Sequence, residues 1–315
     1  MQRLLTGKIR VTAQLSFAMV STPFLPAALT PVFPTLAGFD FIKSGTFKSV
    51  YQVTVVGGGV EVLKIIRLPQ DASTDAARAF KEQELGRAKR EIALLGMVAS
   101  HFVVKLGTLS PTVLDIEGES CMAYTEEMLP GRDLEAVIAA GIQPTEAEIK
   151  ALLSCLVEAI QSLWSQHRVV HRDIKPANIF ATGLSARPFV LLDLGIAYNV
   201  DEPGLTVNPS IIPATPLYMA PEMLDPNFRE TLSYRADLYS AAVTTFEFAT
   251  GTHPLAKTGD YMAKTLTRIL HQDPIRLAAL RPDLSPSLSS LIDQLMKKSP
   301  SLRPGNLSLI LKQLR

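Results

Sequence analysis

The sequence predicts an α+β protein in two parts, a β-rich first part with one main helix and an α-rich second part. Three observations predict it. Residues 38 to 70 are rich in β-formers and turn tightly at Gly57-Gly58-Gly59. A long apolar stripe at helical spacing begins at Ile149. From about Glu222 onward the pattern stays helical, broken by Pro-rich loops. The 315 residues allow one large domain or two modest ones with an ample core.

The first 39 residues contain Arg3, Lys8 and Arg10 but no acidic residue; the first is Asp40. The mildly apolar run that follows is interrupted by Gln14, Pro23 and Pro26. A signal or transit segment or a membrane anchor is one reading of residues 1–37. The favoured reading is a poorly ordered leader, because the run is too broken for a spanning helix. Membrane contact through residues 1–37 is therefore the lesser alternative.

Next come the strand "SVYQVTVV", the glycine turn and the strand "VEVLKIIRL", then a loop from Pro69 to Thr74. Residues 75 to 96 predict a helix rich in Ala, Glu, Lys and Arg, weakened at Gly86 by about 1 kcal/mol relative to Ala. "FVVKLGTL" and "SCMAYTEEML" predict two further strands. Thr145 and Glu148 form a capping box, in which each side chain satisfies a free backbone N–H of the first turn. Behind it Ile149, Leu152, Leu153, Leu156, Val157, Ile160, Leu163 and Trp164 mark the core face of a long helix. Short strands are expected at Ile179-Phe180 and in "FVLLD".

Lys+Arg 31 against Asp+Glu 30 gives a net charge of +1, so charge does not argue for a polyanion and no nucleic-acid partner is expected. Cys121 and Cys155 form neither a metal-ligand spacing nor a disulfide framework. That composition suits a reducing compartment, and a cytoplasmic location is expected.

The chemistry is concentrated in "VVHRDIKPANIF", residues 169–180. Asp173 offers a carboxylate that can take a proton from a hydroxyl. Asn178, five residues on, offers a neutral oxygen to a hard cation such as Mg²⁺, and Lys175 between them can steady transferring phosphate charge. Such parts serve phosphoryl transfer, which needs positioning and charge neutralisation more than covalent chemistry. The loop matches H-R-D-x-x-x-x-N at His171, Arg172, Asp173 and Asn178.

On these residues the chain resembles the eukaryotic-like (bacterial-type) serine/threonine protein kinase family over roughly residues 38–315. The resemblance implies a two-lobed fold, with an N-lobe over 38–129 and a C-lobe over 130–315. It implies ATP and Mg²⁺ in the cleft and protein substrates with Ser/Thr acceptors. "VLKII" places Lys64 at the α- and β-phosphates, and "KREIALL" places Glu91 as the partner that holds it; Glu84 is the alternative register. Asp193 in "LLDLG" corresponds to the second metal residue beside Asn178, with Leu194 in place of the usual phenylalanine. "ATPLYMAPE" places Thr215 beside Asp173 and Lys175, and Glu222 as the partner of Arg303. Asp237 in "RADLYS" would hold the backbone of the catalytic loop.

The glycine-rich loop departs from the pattern. In "IKSGTFKSVY", Lys43 and Lys48 replace the outer glycines and only Gly45 remains. The two lysines either add positive charge near the phosphates or belong to an ordinary solvated hairpin. Lys48 could share the role of Lys64. The resemblance places Phe47 at the loop tip, Val50, Val62 and Phe180 around adenine, and the hinge at Glu127 to Leu129. Thr206 and Ser210 are candidate phosphate acceptors in the activation segment, with Arg172 as the receiving cation. Asp133 and Glu247 resemble positions that hold substrate arginines. Catalytic transfer to Ser/Thr hydroxyls, with autophosphorylation, is the expected function. The alternative is a pseudokinase acting as a nucleotide-binding scaffold or regulator, and its support is the altered glycine loop.

Overall fold

Strand alternation builds the first layer. The computed structural model describes residues 22–45, 48–68, 86, 88–194, 197–200, 216–225 and 227–315. β1 (Leu36–Ser44), β2 (Lys48–Val55) and β3 (Val60–Arg67) run antiparallel and continue into β5 (Glu119–Glu127) and β4 (Thr112–Ile116), in the order β1-β2-β3-β5-β4. Successive side chains point to opposite faces of a sheet. Tyr51, Val53, Leu63, Ile65, Cys121 and Ala123 thus share one face and are buried together.

What covers that face is the chain before β1. Phe24, Leu29, Phe33 and Leu36 pack onto it, Leu29 from a one-turn helix, α1 (Pro26–Leu29). The Tyr51 hydroxyl donates to the Phe24 carbonyl at 3.1 Å, and the Arg67 guanidinium lies 3.9 Å from the Phe24 ring. Packing therefore reaches back to residue 24, into the segment expected to be a poorly ordered leader. Its aromatic and leucine residues have an apolar sheet face to bury against, which a linear reading could not supply.

Helix α2 occupies 88–97, ending one residue beyond the expected 75–96, and Gly86 is helical as well; 75–85 and 87 lie outside the described residues. One strand differs from expectation. Residues 102–109 form no continuous strand: Val103 bridges to Leu191 and Leu106 to Glu126, Lys105, Gly107 and Leu109 share backbone bonds with Glu127 and Thr125, and β4 forms at Thr112–Ile116. Val103 and Val104 are buried, and the Val104 N–H donates to Leu191 at 3.0 Å. The apolar run therefore combines burial between the lobes, at Val103 and Val104, with partial pairing to β5 from Lys105 to Leu109.

The second part is helical. After β6 (Arg132–Asp133), α3 (Leu134–Ala139) begins with Asp133 as its cap, accepting the Ala136 N–H at 2.7 Å. α4 (Glu146–His167) has the predicted capping box, with both reciprocal bonds made. Its predicted stripe is buried from Ile149 to Leu163, and Trp164 is partly buried. β7 (Val169–Val170), β8 (Ile179–Ala181), β9 (Phe189–Leu191) and β10 (Tyr198–Asn199) follow: β7 pairs with β10, and β8 lies between β6 and β9. α5 (Tyr234–Thr250) is buried almost all round against α4, and α6 (Met262–His271), α7 (Leu277–Leu280), α8 (Pro286–Leu295) and α9 (Leu307–Leu314) complete the lobe. Among the described residues no helix is long and apolar enough to cross a membrane.

Candidate active site

The catalytic loop is held from below by one carboxylate. Asp237, in the first turn of α5 and fully buried, accepts the backbone N–H of His171 at 2.7 Å and of Arg172 at 2.9 Å. Arg172 sits at φ 71°, a left-handed conformation that a non-glycine residue keeps only where the surroundings hold it. Burial raises the Asp237 pKa, and the charges of His171 and Arg172 and the two backbone donors work against that rise. The His171 ring is locked from both sides. Its Nε2 lies 3.2 Å from the Leu192 carbonyl, and Nδ1 accepts the Asp173 N–H at 3.2 Å, which sets the Nε2–H tautomer.

Above this floor the predicted catalytic residues converge. Lys175 Nζ bonds both Asp173 carboxylate oxygens at 2.9 Å. The Asn178 amide donates to the Asp173 carboxylate at 2.8 Å and to its carbonyl at 2.9 Å. Its nitrogen is thus used internally, and its oxygen is the atom left for a cation. Asp193 follows β9 at φ 59°, and its side chain is 38% exposed. Asn178 and Asp193 both line a cavity of about 260 Å³ between the lobes. An amide oxygen and a partly exposed carboxylate are hard donors that fit Mg²⁺ with water in its remaining positions.

The roof and walls of the cavity include Val50, Val62, Leu129 and Phe180, as expected, together with Glu127 and Lys64. Gly45 is not among its lining. The Gly45 N–H bonds the Lys48 carbonyl at 2.7 Å, without a positive φ and with room for a Cβ, whose nearest neighbour would be that carbonyl oxygen at 3.9 Å. The Glu127 side chain is engaged elsewhere: it bonds Arg187 at 2.6 and 2.7 Å and accepts the Lys105 N–H at 2.9 Å. These contacts lower its pKa against the opposing effect of burial. Val104, Leu192 and Ile42 also line the cavity and were not singled out in the sequence, while Met128 lies within the expected hinge. Nothing local marks Val104 or Leu192, which reach the site through the interlobe bridges. Glu126 could have been found, because alternation along β5 puts it on the same face as Tyr124.

The expected Lys64–Glu91 ion pair is present, and each partner has a second, closer one. Lys64 bonds Glu126 at 2.5 Å and stands 3.8 Å from Glu91. Lys48 lies 3.3 Å from both Glu91 and Asp193. The Tyr124 hydroxyl donates to Glu91 at 3.0 Å. Burial works against a charge on Lys48, but the carboxylates of Asp193 and Glu91 outweigh it and raise its pKa. Glu91 is raised by burial first and by repulsion from Asp193, with Lys48 and Lys64 opposing.

Behind the site Glu222 and Arg303 form the predicted pair, at 2.6 and 2.7 Å. The Arg303 side chain is fully buried, and all five of its N–H donors are used, the other three on the carbonyls of Lys297, Lys298 and Arg235. Glu247 accepts the Tyr218 hydroxyl at 2.6 Å, and Asp133 caps α3, so both acids that resembled substrate-arginine sites have internal partners. Thr215, Thr206, Ser210, Phe47 and Glu84 lie outside the described residues.

Comparison with known proteins gives the same picture. A model of the protein kinase domain matches residues 39–314. The chain is 34% identical over 164 residues to the dual specificity mitogen-activated protein kinase kinase mek-1 of Caenorhabditis elegans, over 52% of this chain and 44% of that one. It is 28% identical over 256 residues to the serine/threonine-protein kinase PkaA of Streptomyces coelicolor, covering 81% and 43%. With the serine/threonine-protein kinase PknJ of Mycobacterium tuberculosis it shares 37% over 141 residues, covering 44% and 23%. The chain thus spans less than half the length of these curated relatives.

Proposed function

The chain belongs to the protein kinase family, in its bacterial-type serine/threonine branch, and we propose that it transfers the γ-phosphate of ATP to Ser or Thr hydroxyls of proteins. The observation that carries this reading is the Asp173–Lys175–Asn178 cluster facing Asp193 across the interlobe cavity.

ATP occupies the cavity with adenine between Val50, Val62 and Phe180 and its edge along the Glu127 to Leu129 backbone. Asn178 and Asp193 would hold Mg²⁺, which when bound would neutralise charge on the phosphates. Asp173 orients the substrate hydroxyl and takes its proton as the oxygen bonds the γ-phosphorus. The bond from that phosphorus to the β,γ-bridging oxygen breaks, and ADP leaves with the electron pair. Lys175, already on Asp173, neutralises charge on the transferring group. A cation of the N-lobe sheet, positioned by Glu91, steadies the phosphates, and Thr215 would act on the acceptor side as the resemblance implies. Autophosphorylation at Thr206 or Ser210 belongs to the same reading, with Arg172 as the receiving cation. The free, buried Cys121 and Cys155 are compatible with a reducing cytoplasm.

Transfer of labelled γ-phosphate from Mg·ATP to a mixed Ser/Thr protein substrate, beside an Asp173→Asn control, tests it. Transfer that disappears in the control supports the kinase reading. ATP binding without transfer in the unmodified protein would favour the pseudokinase alternative. Mapping of labelled residues that finds neither Thr206 nor Ser210 would remove the autophosphorylation sites.

A further inference from the structure

Two lysines, rather than one, stand on the cleft face of the N-lobe sheet. Lys48 pairs with Ile66 and Val50 with Lys64, so Lys48 and Lys64 are diagonal neighbours with the same side-chain parity. Lys64 pairs with Tyr124 and Val62 with Glu126, which puts Tyr124 and Glu126 on that face too. Glu91 of α2 and Asp193 complete the cluster, giving two cations among three carboxylates.

Charge matching divides them. Glu126 is 3% exposed and Lys64 8%, and they form the shortest ion pair of the cluster at 2.5 Å. Drawing Lys64 onto a phosphate would leave the Glu126 carboxylate buried without a counter-charge, which is strongly unfavourable. Lys48 is tied less tightly: its partner Glu91 is also buried, at 2%, but keeps Lys64 at 3.8 Å as a second cation. The Lys48 side chain is 25% exposed and borders the cavity, and its carboxylate partners are more distant, at 3.3 Å each. Those partners are Glu91, the expected anchor of the phosphate lysine, and Asp193, the expected metal residue. The backbone asks nothing unusual for this: Lys48 is an ordinary β2 residue, and the neighbouring turn at Gly45 needs no positive φ.

We propose, resting on the kinase reading, that Lys48 rather than Lys64 is the residue that binds the phosphates of ATP, with Glu91 positioning it. The Lys64–Glu126 pair is then a neutral unit at the back of the base slot. A lysine replacing a loop glycine supplies as a point charge on a flexible stem what the backbone of a glycine-rich turn supplies as N–H dipoles.

The test is calorimetric titration of ADP and of adenosine, each with Mg²⁺, into wild-type protein, Lys48→Met, Lys48→Arg and the double variant Lys64→Met/Glu126→Met. The ratio of the two affinities isolates the phosphates. Lys48→Met is expected to lower ADP affinity by about 10-fold or more, the size of a lost charge-assisted bond, with adenosine within about three-fold. Lys48→Arg is expected to recover part of the ADP preference, which a merely structural residue would not show. The double variant removes both buried charges together and is expected to move the two affinities alike. A double variant that loses the ADP preference overturns the assignment, whether or not Lys48→Met loses it as well. Wild-type protein that binds ADP no better than adenosine overturns it together with the kinase reading, whereas failure confined to the variants overturns this assignment alone.

Discussion

The catalytic loop and the lysine cluster of the N-lobe face each other across one cavity, yet they are built in opposite ways. In the loop, Asp173, Lys175 and Asn178 lie within six residues and bond one another, and a single buried carboxylate, Asp237, holds the backbone beneath them. In the cluster, Lys48, Lys64, Glu91, Glu126 and Asp193 come from five separate segments, and which cation meets which carboxylate depends on strand register and helix placement. The loop carries its chemistry in local spacing. The cluster carries it in partner choice, which two residues of the same type can exchange without altering the sequence pattern much.

The sharpest way to test the loop side is Asp173→Asn. Removing the proton acceptor while keeping the size is expected to cut transfer by about 10³-fold, with ADP affinity nearly unchanged. Equal losses in binding and transfer would mean that Asp173 shapes the cavity instead of acting in the chemical step. On the cluster side, Lys64→Met alone is expected to cost about 3 kcal/mol of stability, because it strands a buried carboxylate. Adding Glu126→Met should return the protein to within about 1 kcal/mol of wild type in denaturant unfolding. If the single variant is as stable as the double, the pair is not the closed unit its 2.5 Å contact indicates.

His253, in the loop after α5, gives a third point of comparison. Its Nε2 donates to the Leu217 carbonyl at 3.1 Å, and Nδ1 accepts from Ala256 at 2.8 Å and Leu255 at 3.1 Å. Burial lowers its pKa from 6.5 to about 4, against a smaller upward pull from the Leu217 bond. The unfolded chain therefore binds a proton below pH 6.5 that the folded protein refuses. Stability present above 6.5 should fall as the pH drops toward 4, by up to about 3 kcal/mol. Denaturation curves across that range should show the slope in wild type and a smaller one in His253→Gln; equal slopes would assign it to other groups. The smallest effect belongs to a purely local feature. Thr145→Ala should cost about 1 kcal/mol by removing one side of the α4 capping box, measured as a shift in the unfolding midpoint.

Much of the architecture was legible because it follows short-range rules. The α4 cap and stripe, the β2–β3 hairpin and the catalytic loop each depend on residues a few positions apart. Even the Glu222–Arg303 pair, distant in sequence, was legible through the motifs at its two ends. Failures came where an apolar run had two possible uses. "FVVKLGTL" divides between two partners, because Val103 bridges to Leu191 of β9 while Leu106 and its neighbours bond the end of β5. Phe24 and Phe33 became part of the N-lobe core, because an exposed sheet face lay within reach.

The sequence by itself determined the two-part α+β order, the helix stripe and cap, and the set of residues proposed to move a phosphoryl group. Periodicity and local hydrogen bonding act within a few residues, so linear spacing contains them. The tertiary structure alone decided that Lys64 pairs with Glu126 and Lys48 with Glu91 and Asp193, and that residues 24–36 close the outer face of the sheet. Ion pairing and burial depend on distance and on the water excluded around each group, and both are fixed only once the strands and helices are packed.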